Sequence, residues 1–337
     1  MHTHKFNYWN DPTQDHTWGS TSTCTKQCIR ITKHFHFIVY DFYDPDPLTV
    51  CHPKSKLLCM ISTTNPAHMF SEMMSCIQYY KTQPGTIFAF PQHIQMYLPH
   101  LYELLLLFIP ESNVELFLDN RNYDVEGMTL YTPHHFNYVD NWKQIPYIMQ
   151  ENRLIFNNLF SIIDTMLIPM KEFQCKMEEI YKTHHSNYIL YDNIMLLKFD
   201  SENATTPERG FSDLSVEVSD LLDKHQIHRI NPSQFKNIYE YICVLYHAKN
   251  VYFSYGGPCC TNRFFVNPTA HVYVLACKTY EFEYEYNNQN KQYWHVRHSH
   301  LCPVRLQIFF LNINKHITLD EMNEVFAIVR KDKDETE

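Results

Sequence analysis

The sequence predicts an α/β protein of two units facing each other across a cleft, and three observations carry that expectation. Apolar, β-branched stretches of strand length alternate with longer stretches of helical spacing, twice along the chain. With 337 residues and 45% hydrophobic composition, the chain exceeds the usual size of one core. Two adjacent glycines, Gly256 and Gly257, end one apolar run in a chain that holds only 6.

Residues 1–30 are polar and read as an irregular lead-in. Strand character follows at 34–43 and 56–63. The stretch 67–82 has helical spacing, with Met69, Met73 and Cys76 on one face. A strand at 85–90 leads to a helix over 95–109, where Pro99 falls in the first turn and its missing N–H costs little. Strands at 113–119 and 123–133 close the first series.

The second series begins after a helical stretch around 146–183. It runs strand 188–199, helix 214–226, short strand 227–232, helix 233–248, strand 250–257, short helix 258–267 and strand 271–278. Residues 280–286 alternate aromatic with acidic side chains at period two, as a half-buried strand does. The tail from 318 starts with Thr and then acids, the signature of a capped final helix. The domains are 1–170, 171–317 and a closing helix and tail, 318–337, placed to pack back on the N-terminal domain.

Composition narrows the function. With 37 Asp+Glu against 28 Lys+Arg, the net charge is −9, which argues against nucleic acid or an anionic membrane as the main partner. The N-terminus lacks a signal-peptide pattern, and the longest apolar run, 104–110, is too short to span a bilayer. Eleven cysteines, odd in number and widely spread, read as reduced thiols of a soluble cytoplasmic protein. Cys24, Cys28, His34 and His36 are zinc-binding residue types outside any standard finger spacing, so no metal site is expected.

The glycine pair falls where ligands bind in open α/β sheets, beyond the carboxyl end of a strand and before a helix. Glycine admits close backbone approach, and helix-start N–H groups favour an anion such as a diphosphate. Ser254, Thr261, Asn262 and Arg263 lie close enough in sequence to complete such a site. The same residues also fit a tight turn without a ligand.

Two stretches resemble family 61 glycosyltransferases. Residues 233–268, preceded by the Arg209-bearing segment 196–211, place Ala248, Gly257, Thr261, Asn262 and Phe265 at positions of the family pattern. In the N-terminal half, 65–80 is similar to the family's Asn-x-x-His-x-x-x-Asp segment, with Asn65, His68 and Glu72. The likeness extends over roughly 55–285. Gly256 stands where the family commonly has His, and the strand at 271–278 lacks the family's closing Glu, with Glu281, Glu283 and Glu285 following later.

The resemblance implies a GT-B-like architecture, two Rossmann-like domains, and inverting transfer from a nucleotide sugar to a glycan or glycoprotein hydroxyl. It implies no metal and no cofactor beyond the donor substrate. Donor contacts would come from Lys198, Arg209, Ser254, Tyr255, Gly256, Gly257, Cys260, Thr261, Asn262 and Arg263. Glu72 would be the base, with His68 orienting it or acting in its place. Asn65 and Glu281 would contact sugar or acceptor. The likeness points to a divergent, anchorless member of the kind that large DNA viruses or microbes encode. Two other readings stand beside it: a GT-B relic that binds nucleotide or glycan without turnover, and a structural α/β interaction protein.

Overall fold

The computed structural model describes residues 19–34, 37–44, 50–61, 64, 66–97, 99–133, 172–197, 214–254, 262–277, 305–311 and 317–334. The chain divides into two compact units, Met1–Thr165 and Met166–Glu337. No helix among the described residues is long and apolar enough to cross a membrane.

The N-terminal unit contains β1 (Gly19–Thr23), β2 (Cys28–His34), β3 (Phe37–Tyr43), β4 (Val50–Cys51), β5 (Leu57–Cys59), α1 (Pro66–Thr82) and β6 (Phe88–Pro91). After these come α2 (His93–Tyr97), α3 (Pro99–Leu106), β7 (Val114–Phe117), β8 (Asn122–Asp124) and β9 (Thr129–Pro133). One sheet has the order β1–β9–β5–β6–β7, with β1 antiparallel to β9 and the remaining pairs parallel. A second sheet, β3–β2–β8–β4, is mixed.

Three expectations change here. The supposed irregular lead-in includes β1 and the start of β2. The β1 sequence GSTST carries no apolar alternation, and its pairing with β9 alone makes it a strand. The single strand expected at 123–133 is two strands in different sheets, separated by a turn through Gly127 at φ 72°. The helix expected over 95–109 is the pair α2 and α3, the latter starting at Pro99, where a fixed φ suits a first helical turn.

Met69, Met73 and Cys76 are buried on one face of α1, as their spacing predicts. Tyr131 ties β9 to that helix through a 2.7 Å bond between its hydroxyl and Ser75 Oγ.

The C-terminal unit contains a helix over 172–184, α4, then β10 (Asn193–Leu196), α5 (Val216–Lys224), β11 (His228–Ile230) and α6 (Ile238–His247). β12 (Asn250–Ser254), β13 (His271–Cys277), β14 (Arg305–Leu311) and α7 (Leu319–Asp334) complete it. Its five strands are all parallel, in the order β11–β10–β12–β13–β14. Counted from β10, that is the order 2-1-3-4-5 of doubly wound sheets.

The strands read as nearly continuous apolar runs because helices cover both faces. On one face Met195, Tyr252, Tyr273, Leu275, Phe309 and Leu311 pack with Val218 and Leu222 of α5 and with Met322, Val325, Phe326 and Val329 of α7. The closing helix, for which the sequence suggested a place on the N-terminal domain, is thus part of this unit's core. Residues of the alternate register, Ile194, Leu196, Val251, Phe253, Val272 and Val274, are buried too. Right-handed crossovers put α6 on the face opposite α5.

Local signals set the helix starts. Ser215 Oγ accepts from Val218 N at the head of α5, and Asn237 Oδ1 accepts from Glu240 N at 2.9 Å at the head of α6. Thr318 and Glu321 bond reciprocally before α7, Thr318 N to Glu321 Oε2 at 2.9 Å and Glu321 N to Thr318 Oγ1 at 3.3 Å. That reciprocal pair is a capping box.

Candidate ligand site at the carboxyl edge of the C-terminal sheet

The 2-1-3-4-5 order has a geometric consequence. From β10 the chain moves outward to β11, then returns through α6 to β12 on the other flank of β10. In sheets of this order, ligands sit beyond the carboxyl ends of the two strands where the order reverses, here β10 and β12. Leu196 and Phe253 are register partners, so the carboxyl ends of both strands lie side by side at this edge.

Ser254 ends β12 at this point. It is 1% exposed, and its Oγ has no hydrogen-bond partner among the described residues. Unmet hydroxyls are uncommon in protein interiors and call for a specific explanation. A ligand acceptor or donor at the switch point supplies one.

The chain re-emerges at Asn262 and forms a single helical turn, Arg263–Phe265. The α6 hydroxyl of Tyr241 donates to Asn262 Oδ1, which leaves the Asn262 amide group to act as a donor. Burial pushes the Tyr241 hydroxyl far above the ordinary phenol range, so it stays protonated and keeps donating. Phe265 is wedged edge-on between Tyr241, 5.1 Å between ring centroids, and Phe173 of α4, 5.5 Å. Arg263 is 0% exposed, with its guanidinium carbon 5.7 Å from the Phe264 ring centre.

Of the residues expected at the donor site, three are described: Ser254 ends β12, and Asn262 and Arg263 open the turn that follows residue 261. Lys198, Arg209, Tyr255, Gly256, Gly257, Cys260, Thr261 and Glu281 lie outside the described residues, as do Asn65 and the strand expected at 280–286. His68 falls within α1, and its side chain is not described.

Glu72 is placed differently from expectation. It is 0% exposed, on the α1 face shared with Met69, Met73 and Cys76, because positions three and four apart lie on one helical face. Nearby, Tyr40 donates from its hydroxyl toward the carbonyls of Cys59, 3.2 Å, and Ile61, 3.0 Å. Burial first, and the negative charge of Glu72 second, hold that phenol well above its usual range.

The sequence reading passed over a titratable pair in the N-terminal unit. His93 follows β6, Asp119 follows β7, and Nδ1 lies 3.1 Å from Oδ1, off the line of the ring N–H. The imidazole is fully buried and the carboxylate 21% exposed. Burial lowers the His93 pKa, Asp119 pulls it back up, and Lys33 adds a smaller downward push. Adjacency in sequence gave no signal for the pair. Its signal is the position of both residues just past the carboxyl ends of neighbouring parallel strands.

Cys24 and Cys28 are buried and His34 ends β2, while His36 lies outside the described residues. Among the described residues no three His, Cys, Asp or Glu side chains converge to hold a metal. Compared with known protein families and with curated proteins, the chain matches none.

Proposed function

We propose that the chain is an inverting glycosyltransferase of the GT-B type, related to family 61, that draws its sugar from a nucleotide donor. The observation that carries the reading is the switch point of the C-terminal sheet, where a buried hydroxyl without a partner among the described residues ends β12. Asn262 and the buried Arg263 follow it in chain order. The glycine pair between them suits the close approach of a diphosphate to backbone N–H groups.

In this reading the donor diphosphate rests at the carboxyl edge of β10 and β12. Asn262, held by Tyr241, donates to a phosphate or sugar oxygen, and Arg263 supplies charge to the departing nucleoside diphosphate. Ser254 hydrogen-bonds the donor. Lys198, Arg209, Tyr255, Cys260 and Thr261 belong to the same proposed site, and Asn65 and Glu281 remain proposed sugar or acceptor contacts.

The burial of Glu72 favours a second reading, a protein of this architecture that binds a nucleotide or glycan without turning it over. Isothermal titration with uridine, guanosine, cytidine and thymidine diphosphates tests the shared part of both. Binding of at least one, weakened about 3- to 10-fold by Ser254→Ala, is expected from the loss of one hydrogen bond. Silence from all four nucleotides removes both readings. Release of free sugar from the matching nucleotide sugar separates enzyme from binder.

A further inference from the structure

We infer that Ser254 receives a ribose hydroxyl of the nucleotide, while the diphosphate lies on the α6 side of the C-terminal sheet, with Asn262. The identity of the ligand rests on the transferase reading. The division of that ligand between two faces of one sheet goes beyond it.

Strand alternation fixes the face that Ser254 occupies. Its register partner is Leu275, and partners in a parallel pair point to the same side of the sheet. Leu275 packs in the cluster that α5 and α7 cover, and so does Tyr252, two residues before Ser254. The Ser254 side chain therefore belongs to the α5–α7 face. Asn262 is held from the other face, by the hydroxyl of Tyr241 near the start of α6. That helix ends at His247, just before β12 begins at Asn250, so its start lies toward the carboxyl edge.

Charge separates the two faces further. α5 leads from β10 back to the start of β11, and α7 follows β14, so both helices also begin toward the carboxyl edge. Their first turns are already closed, and they are acidic. Ser215 Oγ accepts from Val218 N at the head of α5, where Glu217 stands in the first turn. Its own backbone N–H first, and Ser215 second, hold the Glu217 carboxyl below its usual range, so it stays charged. Thr318 and Glu321 close the head of α7, beside Asp320. Carboxylates at helix N-termini offset the positive dipole end that would otherwise draw an anion. A diphosphate is disfavoured on this face. α6 also carries an acid in its first turn, Glu240, but Asn262 on that side is followed directly by the cation Arg263.

Ser254 Oγ, 1% exposed and without a partner among the described residues, is a neutral group that both donates and accepts. A ligand hydroxyl has the same two capacities and matches it without bringing charge to the acidic face. The hydroxyls of a nucleoside diphosphate belong to its ribose, which adjoins the phosphates. Ser254 likewise stands two residues before the glycine pair proposed for the diphosphate.

Isothermal titration of the full chain with uridine, guanosine and cytidine diphosphates, and with the 2′-deoxy and 3′-deoxy form of each, tests the assignment. Removing one of the two ribose hydroxyls is expected to weaken binding about 3- to 10-fold. Ser254→Ala is expected to cost the ribonucleotide that same factor, yet to bind the weakened deoxy form within about twofold of the unsubstituted chain. Asn262→Ala is expected to weaken all forms alike and so to leave the preference for ribose intact. Equal losses for ribo and deoxy forms in Ser254→Ala, or an unsubstituted chain that binds them equally, overturn the inference and leave the transferase reading standing. Loss of the ribose preference in Asn262→Ala alone has the same meaning. Silence from every nucleotide removes the reading and the inference together.

Discussion

At the amino edge of the C-terminal sheet, Asp192 accepts from Lys249 Nζ at 2.8 Å and meets His247 Nε2 at 3.3 Å, while Tyr181 bonds His247 Nδ1 at 2.8 Å. The Asp192 carbonyl accepts the amides of Lys249 and Asn250, and Asn250 bonds Asn193 across the strands at 2.7 Å. At the carboxyl edge, Ser254 Oγ is buried with no partner among the described residues, and the Arg263 guanidinium, nine residues later in the chain, is buried too. One sheet therefore ends in two ways. The amino edge joins its polar groups to one another, as a structural closure does, and the carboxyl edge leaves the buried Ser254 hydroxyl without a partner among the described residues. The difference separates residues whose loss costs stability from residues whose loss costs binding.

Truncating Phe265 is the severest way to break that contrast, because its ring anchors the turn bearing Asn262 and Arg263. Phe265→Ala is expected to destabilise by about 3–5 kcal/mol, measured by urea unfolding, and to remove nucleoside diphosphate binding. A loss under about 1 kcal/mol means the ring is not the anchor.

A moderate effect belongs to the amino edge. Asp192→Asn is expected to cost about 0.5–1 kcal/mol at neutral pH, since its carboxylate is half exposed and screened, and to leave ligand affinity unchanged. Its side-chain bond from Lys249, above all, holds the Asp192 pKa below 3.8. The sign follows from that. The stabilisation is present above the unfolded carboxylate value and is lost as pH falls through the lower folded value, below about pH 4. Unfolding curves at neutral pH and at pH 3 should converge for the two proteins, and a gap that persists in acid rules out the ion pair as its source.

Least change is expected from Ser254→Ala when stability alone is measured. Removing a buried hydroxyl with no partner among the described residues should shift unfolding by less than about 0.5 kcal/mol in either direction, even as it weakens binding. A loss above about 1 kcal/mol places Ser254 in the structural class with Asp192 and dissolves the contrast between the edges.

The alternation of strands and helices was legible in the sequence because burial imposes its own periods. The face of α1 bearing Met69, Met73 and Cys76 and the cap at Thr318 were read correctly, since each depends on neighbours within a few residues. The sequence did not announce β1 as a strand, because GSTST owes its conformation to Thr129–Pro133, more than 100 residues away. The burial of Glu72 was misjudged for a related reason. A carboxylate three residues from Met69 looks available on paper, and only the packing of α1 shows which arc of the helix is covered.

Ser254, Asn262 and Arg263 were proposed from their place beside a glycine pair, a local signal that needs only strand and turn chemistry. Their burial, the Tyr241 bond to Asn262 and the pairing of His93 with Asp119 arise from contacts between distant segments. The sequence by itself determined the α/β class, the capped start of the final helix and the residue types available for anion chemistry, all matters of short-range periodicity and capping. Strand order was decided only by tertiary structure, because parallel strands pair through backbone groups that every residue carries. That order sets where the sheets reverse.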